Sequence, residues 1–599
     1  MQKPFPLVKY GSSLFFDPSL PPFGMSVMLR YSLKPDTASH LYRMSLTLDA
    51  PASVTTFYMP AWTSGSYLIR DYAGRIRGPR CSRGILTQIS TNRWTLSGVD
   101  SGSSVTLEWE VFAFSLGIHD AWLDADRGFF NPAAVFILPE GLSDVAARLS
   151  IESDDIKAFC SLPETSPGVF SARTLDELLD APMTLIPPGA SVQTMSLTVQ
   201  SIPHTIVLTG VGPVHRTRLL QDIGAILETA LQFWGSAPFD RYVFHIHCGP
   251  NLFGGLEHEA SCVLQKDAGA LPGPMEDSTP EDYDDFLRLL AHEYFHAWLV
   301  KYLRPAALLP YSLDAAAHTP DLWVFEGLTS YYENLIPYRA GVIGRDTFFK
   351  RMNERFRAVR EKEGFFRESL SDAGFNAWTH LYKQTADSAY SQSSYYGKGA
   401  VLAFITDILL RARIPGMSLD TVLRSWYESA RTDASRRALP AKGFPDLLPD
   451  VSLRETVAQL ADTAGRDIWQ RAWSEALDAA GLTEDVPDPS DVRDKAGLFV
   501  RIDADRVFVR HTPSGGPAFK AGLFAGDEIV AVDGVRTTAA SFERQIGQAS
   551  GRAAEIAFFR QHRLMRTNLT VKSRAEPAVG PIRPEDLTPT GKAWLSTAS

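Results

Sequence analysis

The sequence predicts a multidomain α+β protein: an N-terminal β-sandwich-like domain, a mainly helical domain, and a small β-rich module near the C-terminus. Three observations predict it. Up to about residue 200 the apolar residues alternate or run in short stretches, with Gly, Pro, Ser and Asp between them. From about 205 to 480 the apolar spacing turns helical. Beyond the Pro/Asp-rich stretch Val486–Asp491 the strand pattern returns, to about residue 573. A chain of 599 residues is also too long for one hydrophobic core. The expected divisions are 1–200, 201–485, 486–575 and a tail at 576–599.

In chain order, MSVMLRYSL, YRMSLTLDA, SVTLEWEVFAF and SLTVQSI read as strands of the first domain. Pro60–Ile76, dense in aromatics and turn residues, reads as a buried corner of that sandwich rather than as part of a catalytic site. RTRLLQDIGAILETALQFWG is an amphipathic helix ending at a glycine, and FDRYVFHIHCGP a buried strand. EDYDDFLRLLAHEYFHAWLVKYL reads as one long helix, with Thr279 as N-cap, Pro280 in the first helical position and Arg304-Pro305 at its end. DLWVFEGLTSYYENLI is a second helix, limited by Pro337. The last residues contain several prolines and few large apolar side chains, which suggests a tail over the surface.

A net charge of −10 disfavours nucleic acid or an anionic membrane as the main partner. No stretch reaches the roughly 18 apolar residues that a membrane span needs, and the first residues lack the pattern of a signal peptide. The chain therefore reads as cytoplasmic, with a periplasmic location left open. Its four cysteines form no CxxC pair, which excludes a zinc ribbon or a thioredoxin-type redox site, and they are too few for a disulfide framework.

The chemistry begins at His292-Glu293-Tyr294-Phe295-His296, an HExxH motif. In a helix this spacing puts both imidazoles on one face, where they can share a metal ion. Glu293 lies about 100° round the axis, beside the ion, where it can take a proton from water. A catalytic zinc needs a third protein ligand and an open position. Glu326 is the first glutamate after His296, while Asp314, His318 and Asp321 compete with it. Leu299 and Tyr302 stand where a metzincin would have glycine and a third histidine. The expected ligand set is therefore His292, His296 and Glu326, with one zinc per chain. Glu333 shares the helix face of Glu326 and reads either as the partner of a histidine ligand or as a solvated helix residue.

HEYFHAWLVKYLRP followed by WVFEGLTSYYE resembles the glycyl aminopeptidase family of gluzincin metallopeptidases, distant relatives of aminopeptidase N. The resemblance covers nearly the whole chain and implies a thermolysin-like catalytic domain. PAWTSGSYLIRDY is similar to that family's N-terminal signature, with Ser64 in place of the usual proline. Gly254-Gly255-Leu256-Glu257-His258 resembles the strand that, in related aminopeptidases, binds the free α-amine of the substrate. The likeness gives that role to Glu257, with Gly254 and Gly255 letting the peptide backbone come close. Ser394-Tyr395-Tyr396-Gly397-Lys398-Gly399 resembles a segment whose tyrosine hydroxyl stabilises the oxyanion. That register selects Tyr396, with Tyr395 as the competitor.

Residues 494–573 resemble a PDZ domain of the bacterial protease type, from PAFKAGL and GDEIVAVDG. Gly497, Leu498, Phe499 and Val500 then correspond to the loop whose N–H groups hold a peptide C-terminus. A peptide or protein ligand and a purely structural role are both open for this module. The leading expectation is a zinc aminopeptidase that acts on peptides with a free N-terminus and small first residues, Gly and Ala. An endopeptidase that recruits substrates through the PDZ domain, and a peptide-binding protein with a vestigial metal site, are the alternatives.

Overall fold

The computed structural model describes residues 28–596, apart from 51, 53–54, 276–278, 486–491, 574–578 and 585. The expected Pro/Asp linker at 486–491 lies outside the described residues. The N-terminal region is β-rich. Its main sheet has seven strands, and Leu41–Asp49 pairs antiparallel with both Leu29–Asp36 and Ser104–Phe112. Leu46 and Leu48 are buried while Arg43 and Asp49 are exposed, as strand alternation requires.

The strand Val192–Val199 pairs with Ile202–Thr209 inside a five-stranded sheet of the middle region. The boundary expected at 200 therefore falls within a hairpin, at Gln200 and Ser201, both with positive φ. Local alternation cannot say which sheet a strand joins. In this sheet Tyr242–Cys248 is central and fully buried, and Gly254–Glu257 forms an edge, antiparallel to Ser261–Lys266. Helices complete the middle region, among them Arg216–Trp234, Tyr283–Phe295, Leu328–Arg339 and Tyr395–Arg413.

The HExxH helix is shorter than its periodicity suggests. Asp282, not Thr279, stands at the N-cap, and no side chain caps that end. Thr279 instead accepts a hydrogen bond from Arg218, at 2.7 Å. The helix stops at Phe295, and Val300 has φ 101°, a rare conformation for a β-branched residue. The turn is closed by Val300 N–H to Leu303 O and by Leu303 N–H to Trp298 O, both at 2.8 Å. The later helix runs past Pro337 to Arg339, and Pro337 lies inside it.

The C-terminal region contains a β-sheet in which Phe499–Asp503 is an edge strand, paired with Arg506–His511. This module has an apolar core of its own, whereas one continuous core joins the N-terminal and middle regions. Of the expected tail, the described residues 582–583 and 589–595 do not lie as a surface tail. Ile582–Arg583 pairs with Thr483–Glu484, and the helix Pro589–Leu595 buries Trp594 completely among Phe348, Phe349 and Phe404. The module is thus held to the middle region at both of its ends. One aromatic side chain outweighs the polar composition around it.

Candidate metal centre

His292 stands on the last turn of Tyr283–Phe295, and His296 is the residue that caps its C-terminal end. Glu326 comes from a single π-helical turn, Trp323–Gly327, that leads into Leu328–Arg339. Such turns are rare and frequently mark functional sites. All three side chains are buried.

The hydrogen bonds fix both imidazole tautomers. His292 Nδ1 donates to Glu333 Oε2 at 2.7 Å, and His296 Nδ1 donates to Leu299 O at 2.9 Å. Neither acceptor can donate, so each ring carries its proton on Nδ1 and presents a bare Nε2. The early helix end has a use here, because it turns the Leu299 carbonyl towards His296. The two Nε2 atoms stand 3.0 Å apart, and Glu326 Oε2 lies 3.2 Å from one and 3.6 Å from the other. Four-coordinate zinc with bonds of about 2.0–2.1 Å separates its ligand atoms by roughly 3.3–3.4 Å. Glu326 Oε2 is buried with no hydrogen-bond donor. Three bare acceptors facing one another require a cation between them, and the set fits zinc. Burial works against a charge on His292, yet Glu326 and Glu333 outweigh it and lift that histidine to about 10. Without the metal, a proton would take its place.

Glu333 is buried, not solvated. Besides His292 it accepts from Arg288 Nη1 at 2.6 Å and pairs closely with Arg355. Burial alone would raise its pKa, but the two arginines hold it well below the usual carboxylate range. The competing ligands are engaged elsewhere. Asp314 pairs with Arg93 at 2.6 Å, His318 Nδ1 donates to Phe375 O at 2.8 Å, and Asp321 accepts from Thr319.

Glu293 and Glu257 flank this triad. One oxygen of each lies within 4.8 Å of the other and of a His296 ring nitrogen. Burial pushes the Glu293 carboxyl up to about 8, with the neighbouring glutamates adding and the histidines opposing. A Cβ on Gly255 would lie 2.0 Å from Glu293 Oε1, so only glycine lets the edge strand pass there. Glu257 is 3% exposed, and its Oε1 has no hydrogen-bond partner.

The Pro60–Ile76 corner is buried at Pro60–Thr63, Ser66, Tyr67 and Tyr72, whereas Ile69, Asp71 and Gly74 are exposed, and its buried part reaches the site. A Cβ on Gly65 would lie 2.6 Å from Glu257 Oε1. Ser64 accepts a 3.4 Å hydrogen bond from Lys301 Nζ, whose main partner is Asp180 at 2.5 Å. Tyr67 is fully buried, and its hydroxyl has no partner. Burial, followed by the Glu326 and Glu257 carboxylates, raises it well above an ordinary phenol.

The ring of Tyr396 stacks over His292, with centroids 6.4 Å apart and planes 18° apart. Its hydroxyl lies 3.4 Å from that of Tyr382. Tyr395 is fully buried with an unpartnered hydroxyl, so it too belongs to the cluster. Arg288 was within reach of sequence reasoning, one turn before His292 on the same face. Tyr67 and Lys301 lie inside segments that carry the family resemblance but had no role assigned, and Arg355 and Tyr382 carried no local signal. In the C-terminal module, Leu498 N–H is taken up by Arg493 O at 3.0 Å, which removes one donor from the expected row at Gly497–Val500.

Residues 285–402 match the family described as M61 glycyl aminopeptidase, and residues 30–185 match the peptidase M61 N-terminal domain. A crystal structure of an aminopeptidase N family protein from Idiomarina loihiensis is 27% identical, with 95% of this chain and 100% of that one covered and a TM-score of 0.86. An M1 zinc metallopeptidase from Deinococcus radiodurans is 12% identical over 75% of this chain and 96% of that one, with a TM-score of 0.45. No curated protein matches the chain.

Proposed function

We propose, for a chain that belongs to the M61 glycyl aminopeptidase family and is a zinc metallopeptidase with a His-His-Glu site, that it removes single small residues, Gly and Ala first, from the N-terminus of peptides. The observation that carries this reading is the place of Glu257. A buried carboxylate with an unpartnered oxygen stands beside Glu293 and His296. One residue of extended chain spans about 3.3–3.6 Å. An α-ammonium held by Glu257 therefore brings the first peptide bond, and no later one, to the metal. Gly65 packs against Glu257, where a Cβ would lie 2.6 Å from its Oε1, so the Pro60–Ile76 corner bounds the carboxylate on one side.

The proposed roles are these. Zinc on His292, His296 and Glu326 supplies Lewis acidity towards water and the scissile carbonyl. Glu293 takes the proton of the attacking water and passes it to the leaving amine. The Tyr396 hydroxyl donates to the oxygen that gains negative charge in the transition state. Glu333 fixes the ring of His292 in the ligating tautomer.

A panel of aminoacyl anilides tests the proposal. Gly and Ala substrates should be turned over fastest, Leu and Phe slowly, and N-acetylated forms not at all. Good cleavage of N-blocked peptides, with no turnover of the Gly and Ala anilides, would sink it.

A further inference from the structure

A buried lysine stands close to Glu257 and does not pair with it. Lys301 follows the HExxH helix and is 2% exposed. Its N–H donates to His296 O at 3.1 Å, so its backbone is tied to a metal ligand. Its Nζ reaches Ser64 Oγ at 3.4 Å, and the next residue, Gly65, is the one whose Cβ would lie 2.6 Å from Glu257 Oε1. Opposite charges brought together inside a protein attract strongly, and a buried charge left alone is costly. Yet Glu257 Oε1 has no hydrogen-bond partner.

Asp180 explains the separation. It stands at the C-terminal end of the short helix Leu175–Leu179, in the N-terminal region, and its Oδ1 accepts from Lys301 Nζ at 2.5 Å. The turn that follows Glu257 fixes the same carboxylate. His258 Nδ1 donates to Oδ1 at 3.2 Å, and Glu259 N–H donates to Oδ2 at 2.6 Å. Three donors from two turns therefore converge on one side chain. Burial alone would raise the pKa of Asp180, but Lys301 and His258 hold it well below the usual carboxylate range. Burial likewise works against a charge on Lys301, and Asp180 outweighs it. Both members of the pair are charged.

The ammonium of Lys301 and the α-ammonium of a peptide are the same kind of group, so they compete for one carboxylate. A lysine tethered in the site has a far higher effective concentration than a dissolved peptide. Glu257 can serve the substrate only if another acid holds the lysine. We propose that Asp180 is a positioning residue for the aminopeptidase reaction: by holding Lys301 it leaves Glu257 vacant for the amine of the substrate. This rests on the reading of Glu257 as the amine anchor. It gives the N-terminal region a part in substrate binding through a side chain that touches no substrate.

The test is steady-state kinetics on glycine anilide with the zinc-loaded full-length enzyme, with zinc content measured alongside. Asp180→Asn keeps the shape and weakens the hold on Lys301. KM should rise about tenfold or more while kcat falls by no more than a few-fold, because the lysine competes with substrate for the free enzyme. Adding Lys301→Met removes the competitor, and KM should return to within a few-fold of wild type. In a Glu257→Gln background, Asp180→Asn should add nothing further. A merely structural Asp180 would lower kcat or zinc content, and its loss would add in full to that of Glu257→Gln. An unchanged KM in Asp180→Asn, or a rise that Lys301→Met does not relieve, would overturn the proposal. If Asp180→Asn does not fold alone, the double variant, which has no unpaired buried cation, decides the matter: a tenfold rise in its KM overturns the proposal. Glu257→Gln separates the two ways of failing. If it leaves KM unchanged, the amine anchor fails and the role of Asp180 with it. If it raises KM while Asp180→Asn does not, the role of Asp180 alone fails.

Discussion

Gly327 and Gly399 meet backbone to backbone: a Cβ on Gly327 would lie 2.6 Å from Gly399 Cα, and one on Gly399 would lie 2.8 Å from Gly327 Cα. Gly327 ends the π-turn that carries Glu326, and Gly399 follows Tyr396 by less than one helical turn. This contact sets how far Tyr396, the proposed oxyanion donor, stands from Glu326. Gly399→Ala should push the two helices apart. The expected loss is about 1–3 kcal/mol of stability, as for other overpacked cores. Activity should fall further than the remaining folded fraction explains. Thermal unfolding and kcat, measured on the same preparation, check this.

Glu333 holds His292 through Nδ1 while it neutralises Arg288 and Arg355. Glu333→Gln keeps the shape and loses the charge. Zinc should bind about 10–100-fold more weakly, as when other ligand-orienting partners are removed. Competition with a chelator measures this directly. In the wild-type protein, zinc removal itself should lower the unfolding temperature, since the metal binds the native state alone.

The centre was legible to different depths. The two histidines were readable because four residues on one helix are neighbours before any tertiary packing. Glu326 followed from the ligand chemistry of zinc and the lack of an earlier glutamate. Tyr67 and Arg355 come from separate elements, and only packing brings them to the site, whereas Lys301 is a local neighbour whose N–H donates to His296 O at 3.1 Å. The same limit explains the fold. Short alternating strands were recognisable, but SLTVQSI reads as part of the first domain, whereas Val192–Val199 pairs with Ile202–Thr209 in the sheet of the middle region, because pairing is a long-range property. The HExxH helix was drawn too long, because the turn at Val300 opposes the local preference of valine.

Glu257 should matter for substrates with a free amine. Glu257→Gln exchanges a charge-assisted contact for a neutral one, worth roughly 1.5–3 kcal/mol. That corresponds to about a 10–100-fold loss in kcat/KM on glycine anilide. The zinc content should stay at the wild-type level, because Glu257 lies outside the His292, His296 and Glu326 set and converges instead with Glu293 and His296. Loss of zinc in this variant would mean that Glu257 holds the metal rather than the amine.

Tyr395 and Tyr396 can be separated by one oxygen each. The Tyr396 ring lies against His292, and Tyr396→Phe should lower kcat by about 10²–10³-fold with little change in KM, as removal of one oxyanion donor does. Tyr395→Phe removes a fully buried, unpartnered hydroxyl and should change kcat by no more than a few-fold. The reverse order would move the oxyanion role to Tyr395.

Trp594 ties the end of the chain to the helix that begins beside Glu326. Its indole N–H donates to Tyr331 Oη at 2.7 Å, and Tyr331 in turn donates to Asp407 at 2.8 Å. Trp594→Ala leaves a cavity among Phe348, Phe349 and Phe404 and should cost about 3–5 kcal/mol. Tyr331 also loses its donor, so Trp594→Phe, which fills most of the space, should recover only part of the loss. Denaturant unfolding of the three proteins separates the packing share from the hydrogen-bond share. Because the Pro589–Leu595 helix fastens the stretch that follows the module to the middle region, Trp594→Ala should also loosen the module. Limited proteolysis near residue 485 should then speed up more than unfolding does, which distinguishes a lost attachment from general instability.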